Sequence, residues 1–307
     1  MSWPANYGRI TGQIPNTVGQ VFFVAPSSSY SFNGLTYASS DGHDGLAPDR
    51  ALATVNRAWA LASANSGDVI VLLPGAHTVT ESIAASTAGV TMTGLPGGVG
   101  NRLRPKTSLT ISASDELINV TAADIEISNL TLIPITTDAT VDLTAAGDRL
   151  CIHDCAFDMA TPAASTSTVG VFALGAASNV LVERCYFECD GAQGNAIIAT
   201  ALLDSLISEC TFSLSAGTWA SAILCGAGTD RLLIEGCKFY CAGTAITVGV
   251  NGTGADQADG VKVVDCRFDT DVTVPIDGFS AGECNIAENY DMGVGSTDGG
   301  ALIVAIT

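Results

Sequence analysis

Apolar and polar positions through the middle of the chain follow a block of eight residues that recurs. The first full copy is Leu150-Cys151-Ile152-His153-Asp154-Cys155-Ala156-Phe157, and further copies occupy 180–187, 205–212, 232–239 and 261–268. In each copy an aliphatic residue stands three positions before a cysteine, and a phenylalanine stands two after it. The cysteines Cys155, Cys185, Cys210, Cys237 and Cys266 are spaced by 30, 25, 27 and 29 residues. A degenerate copy at 125–132 puts Leu130 and Leu132 in the places later taken by Cys and Phe. The even offset from Cys to Phe puts both on one face of a strand, and the odd offset back to the aliphatic residue requires a corner between them. Asn129, Asp154, Arg184, Glu209, Gly236 and Asp265 occupy that corner. Asn, Asp and Gly tolerate the backbone of a one-residue bend, whereas Arg184 and Glu209 fit it less well.

A further apolar segment follows each copy after a Gly/Ser/Thr-rich stretch: 169–174, 196–199, 222–225 and 245–248. Each repeat therefore holds two or three short strands, too few to bury their own apolar side. Coils of about 25 residues must stack on one another with parallel pairing, which predicts an all-β chain coiled into a right-handed parallel β-helix of roughly nine or ten coils. In that register Cys155, Cys185, Cys210, Cys237 and Cys266 form an interior column, with Phe157, Phe187, Phe212, Phe239 and Phe268 beside it. A stacked first coil needs a cover. Residues 49–62, with Leu52, Val55 and Trp59 on one face, predict an N-terminal α-helical cap. The expected organisation is an arm over 1–40, a loop and capping helix over 41–67, and the β-helix over 68–307. The arm carries Trp3, Tyr7, Ile10, Ile14, Phe22 and Phe23, which either fold back onto the capped end or meet a partner. We expect the second.

Composition adds exclusions. The 307 residues carry 31 acidic against 12 basic groups, a net charge of −19, which disfavours a nucleic-acid partner. No run of about 18 apolar residues predicts a membrane span, and no signal-peptide pattern opens the chain. The cysteines, placed in the core column, need neither disulfides nor metal: three scattered histidines do not complete a zinc site, and no cofactor is expected.

The passage Asp41-Gly42-His43-Asp44-Gly45-Leu46-Ala47-Pro48-Asp49-Arg50-Ala51-Leu52-Ala53-Thr54, continued by Gly67-Asp68-Val69-Ile70-Val71-Leu72-Leu73-Pro74-Gly75, resembles the capping segment of pectate-lyase-like right-handed β-helix proteins, particularly those of phage structural modules. With the repeats, the resemblance covers about residues 40–290. It implies the fold; activity has to be sought in the residues. The motifs of polygalacturonase-like relatives (Asn-Thr-Asp, Asp-Asp, Gly-His-Gly, Arg-Ile-Lys) are absent, and Arg102-Leu103-Arg104-Pro105-Lys106 does not complete the pectate-lyase pattern. Outward carboxylates such as Glu183 with Glu235, or Asp158 with Glu188, recur in nearby coils and read as solvated surface. Trp219, Tyr186, Tyr240 and Tyr290 remain as sugar-stacking platforms without forming a row. The expectation from sequence is a non-enzymatic phage virion protein: a homotrimeric capsid decoration or cement protein, anchored through its arm to the major capsid protein or another virion component. The alternative is a tailspike-like β-helix that binds or degrades a polysaccharide.

Overall fold

The computed structural model describes residues 19–291, apart from 33, 96–106, 113–114, 135–139, 145, 160–171, 175–176, 190–192, 216, 242–244, 253–259, 270, 280–283 and 288. Within these residues the chain winds through three parallel sheets in turn. Sheet 1 has ten strands, running from Val21–Val24 through Val69–Leu72, Glu126–Ser128, Cys151–His153 and Leu181–Glu183 to Cys284–Ala287. Sheet 2 has nine, from Ala76–Val79 to Tyr290–Asp291, and sheet 3 has eight, from Ile83–Ala85 to Val272–Asp277. Every rung pairs in register with the rung before it, so each coil lays like residues over like.

That register builds the core. Phe157, Phe187, Phe212, Phe239 and Phe268 are successive ladder partners on sheet 2 and are fully buried. Their ring centroids lie 4.4, 5.0, 4.9 and 4.6 Å apart, with planes within 10° of parallel. The strand spacing of about 4.8 Å imposes this stack, since each ring hangs from the rung above its neighbour. Cys155, Cys185, Cys210, Cys237 and Cys266 are buried beside it as free thiols. Burial pushes the Cys155 and Cys210 thiols well above their ordinary range, so they pack as small apolar groups. The corner between sheets 1 and 2 takes positive φ at all six positions: Asn129, Asp154, Arg184, Glu209, Gly236 and Asp265. Arg184 (φ 50°) and Glu209 (φ 51°) thus adopt the bend despite their side chains. Stacked neighbours on both sides hold them there.

The N-terminal end departs from the sequence reading. The helix expected over 49–62 is confined to α1, Val55–Leu61, preceded by a single 3-10 turn at Pro48–Arg50. Ala51 and Leu52 are extended instead, because Leu52 bridges to Val24 and its carbonyl accepts the Ala25 N–H. Asp41 holds this break open: its carboxylate accepts the N–H groups of Ala53 and Thr54 and the Thr54 hydroxyl. Thr54 then caps α1 through the Arg57 N–H. The helix buries Val55, Ala58 and Trp59 in the main core.

The arm assignment also needs correction for its second half. Val21–Val24 pairs in parallel with Val69–Leu72 and forms the first rung of sheet 1. Phe22 is 3% exposed in the main core, and Phe23 is 4% exposed in a second cluster with Tyr30, Val69, Val71 and Leu73. A strand buried on both faces leaves neither ring for a partner. Trp3, Tyr7, Ile10 and Ile14 lie outside the described residues.

Truncating the middle of the phenylalanine stack, Phe212→Ala, should cost about 3–5 kcal/mol of unfolding free energy. Ser213→Ala, on the outward side of the same strand, should stay within about 0.5 kcal/mol. Urea unfolding of both variants checks this, and equal losses would show that the column does not hold the coils together.

Candidate functional site

Outward side chains on each sheet form columns one rung apart, so polar clusters arise where successive coils place titratable groups in neighbouring columns. Two such clusters stand out.

The first lies on sheet 1. His153 stands between two carboxylates, with Nδ1 2.7 Å from Asp154 Oδ2 and Nε2 3.0 Å from Glu126 Oε1. Asp154 is also held by a two-pronged fork from Arg184, whose Nε and Nη2 both donate at 3.0 Å, and Arg184 further pairs with Glu183. The hydrogen bond to Glu126, then that to Asp154, lifts His153 to about 9, although burial opposes them. The bond from His153 lowers Glu126, and the Arg184 fork lowers Asp154. The cluster is therefore an imidazolium and a guanidinium saturated by carboxylates at neutral pH. Cys151 beside it is pushed up to about 11, by burial first and then by Glu126 and Glu183, and stays a thiol. No base, free acid or nucleophile is left over, and the network ties three coils together. The same fork recurs at equivalent left-handed positions elsewhere: Arg149 reaches back to Asp124 at 2.5 and 2.6 Å, and Arg231 to Asp204 at 2.5 and 2.8 Å.

The second cluster is open. On sheet 3 the outward column runs Ala84, Asn119, Asp142, then positions 173, 198, 224, 251 and 277, each the ladder partner of the last. Asn119 donates its amide to Glu116 Oε1 at 2.8 Å, while its own Oδ1 is buried and has no partner. Asp142, one rung on, has its carboxyl raised by burial first and then by the charge of Glu116. Glu116 moves the opposite way, lowered chiefly by its hydrogen bond with the Asp115 carboxyl and further by Asn119. Two carboxyl groups whose environments drive their protonation apart are the arrangement that lets one serve as acid and the other as base. Further along the same column the floor becomes apolar, with Ile198 and Leu224 half-exposed. The column then meets a second amide and acid, Asn251 and Asp277. Asn251 Oδ1 is likewise buried without a partner, its amide donating to Ser221 Oγ at 3.0 Å.

The sequence-named candidates fall elsewhere. Glu183 and Glu235 lie two rungs apart with Ser208 between them, and Glu183 is already paired. Asp158 and Glu188 are adjacent rungs of sheet 2. Trp219 is 0% exposed, edge-on to Phe212 at 6.5 Å, and so is no platform for a sugar. His77 lies on the strand Ala76–Val79, buried with Nε2 2.8 Å from the Leu73 carbonyl, and burial lowers it. Glu116, Asn119 and Asp142 were missed because the first coils lack the Cys-x-Phe landmark. Their signal was a polar residue flanked by apolar ones, in Ile118-Asn119-Val120 and Val141-Asp142-Leu143.

The chain matches no family model and no curated protein. Among solved structures it resembles pectin methylesterase from Aspergillus niger, with TM-score 0.57 at 15% identity, over 85% of this chain and 90% of that one. Pectin methylesterase PemA from Erwinia chrysanthemi gives 0.58 at 13%, over 93% and 91%, and the Yersinia enterocolitica pectin methylesterase gives 0.52 at 11%, over 83% and 95%. These likenesses establish the right-handed parallel β-helix. They also overturn the expectation of a non-enzymatic chain, since the structures that share this fold along nearly their whole length are enzymes.

The raised value of His153 has a definite consequence for stability. A group whose folded value exceeds its ordinary 6.5 stabilises fully below that pH and loses its contribution as pH rises through about 9. Glu126 and Asp154 are lowered, so their contributions hold at neutral pH and vanish only in acid. Unfolding free energy should therefore fall between pH 7 and 10 in the wild type, with a shallower fall in His153→Gln. Parallel slopes for the two proteins would show that the imidazolium contributes nothing.

Proposed function

We propose that the protein binds a polysaccharide along the outer face of sheet 3 and hydrolyses a bond in it, with Asp142 as proton donor and Glu116 as the base. The observation that carries this reading is the Glu116–Asp142 pair: carboxyl groups shifted in opposite directions, Glu116 bonded by Asn119 and Asp142 the ladder partner of that asparagine, on a fold shared with pectin-processing enzymes. Glu116 takes a proton from the attacking water, and Asp142 gives one to the departing oxygen. Ile198 and Leu224 offer an apolar floor along the column, between the Asn119–Asp142 and Asn251–Asp277 rungs. From Asn119 to Asn251 the column spans five rungs, roughly 24 Å at the ladder spacing, enough for several sugar units.

The test is turnover of a panel of pectins and bacterial surface polysaccharides. Reducing ends report glycosidic cleavage, and released alcohol reports ester cleavage. Asp142→Asn and Glu116→Gln should each lower kcat by about 10²–10⁴-fold while the fold persists. Activity should fall on the acid side as Glu116 protonates and on the alkaline side as Asp142 ionises, with Asp142→Asn removing the alkaline limb from whatever activity remains. Wild-type turnover retained in both variants would refute the assignment.

A further inference from the structure

The cations of the solenoid are unevenly used. Arg149, Arg184 and Arg231 are each consumed by an aspartate of the preceding coils. Two others are not. Lys238 and Arg267 are exposed ladder partners on the outer face of sheet 2, and among the described residues neither forms an ion pair. Glu235 and Asp265 lie across the corner, and Asp269, two residues past Arg267 on the same side of the chain, accepts the Cys241 N–H; none of the three forms an ion pair with Lys238 or Arg267. Like charges directly opposed on neighbouring strands repel and destabilise the ladder. On a chain of net charge −19, two exposed cations opposed on adjacent rungs run against the overall charge. Around it lie groups suited to a sugar chain. Tyr240 is 36% exposed in the neighbouring column above Ser213, whose earlier rungs are the acids Glu188 and Asp158, and Thr211 and the half-exposed Tyr186 continue the cation column.

We propose that this face of sheet 2 is a second binding surface, for an anionic polysaccharide whose carboxylate or sulfate groups bridge Lys238 and Arg267 while a ring of the chain lies against Tyr240. The one-rung separation is comparable with the length of a sugar unit, so successive charged units can each meet one cation. The guanidinium takes an oxyanion in two-pronged fashion, and the ammonium takes it as a point charge. The surface is on a different face from Glu116 and Asp142. It rests on the glycan reading for its class of ligand, but not on that pair.

Affinity electrophoresis of the full chain tests it, in gels containing polygalacturonate, dextran sulfate, neutral dextran or single-stranded DNA. Retardation by at least one acidic glycan and none by neutral dextran is expected, and comparison of the first two gels assigns the carboxylate or the sulfate. K238Q/R267Q should weaken that binding by roughly tenfold or more, with a melting temperature no lower than that of the wild type, since the opposed charges are gone. K262Q, which removes an exposed cation of sheet 1, should bind as the wild type does. E116Q and D142N should lose turnover but keep the retardation, which separates failure of the catalytic assignment from failure of this surface. The proposal is overturned if no acidic glycan retards the protein, if K238Q/R267Q is retarded like the wild type, or if DNA is bound as tightly as the glycans.

Discussion

Everything in this molecule follows from in-register parallel pairing. Once each rung lies about 4.8 Å above the last with the same residue over the same residue, a side chain's environment is set mainly by its counterparts in adjacent coils. Inside, this favours identical residues that stack well. Phenylalanine stacks face to face at the rung spacing, and a thiol fills the narrower column beside it. Outside, the same rule creates a difficulty, because an ionised residue repeated along a column would oppose its own charge at every step.

The chain resolves that difficulty with alternation. Asp124 lies under Arg149, Asp154 under Arg184 and Asp204 under Arg231, and in each pair both residues hold positive φ. A left-handed corner brings a short carboxylate and a long guanidinium into fork geometry across one coil step. Each fork is largely exposed, so its contribution to stability is modest, on the order of 0–1 kcal/mol. Its effect on register is larger. A slip of one residue would flip every side chain to the opposite face and set acids against acids. His153 works the same way, occupying the position between Glu126 and Asp154 that a third carboxylate could not.

The periodic part of the structure was legible in the sequence because the repeat carries its own landmarks. The Cys-x-Phe step fixed the Phe157 to Phe268 column, and the odd offset to the preceding aliphatic residue located the corner, down to Arg184 and Glu209, where residue preference argued against it. What escaped was whatever depends on one coil differing from the rest. Helical periodicity in 49–62 was real, but Asp41, distant in sequence, captured the N–H groups of Ala53 and Thr54 and shortened the helix to Val55–Leu61. Phe22 and Phe23 read as a sticky arm because nothing in 21–24 shows that Val69–Leu72 offers an open sheet edge. The Glu116–Asp142 site escaped for a similar reason, since protonation is a property of the stacked neighbours and not of either residue alone.

The contrast between the two polar clusters bears on where chemistry can reside on such a scaffold. In the sheet 1 cluster every charge has its counter-charge and every hydrogen-bonding atom of His153 is used, so bringing in a substrate would first require breaking bonds within the protein. On sheet 3 the cost has been left standing. A buried acceptor without a donor is unfavourable by about 1–3 kcal/mol, and Asn119 and Asn251 each carry one. Asp142 is likewise raised, by burial first and then by the charge of Glu116, while Glu116 is lowered. Asn119 and Asn251 stand at two points of one outward column, with Ile198 and Leu224 between them. The register that stacks phenylalanine on phenylalanine inside the coil thus also draws polar and apolar groups on its outer face into a line, and a line is the shape that a polymer can follow.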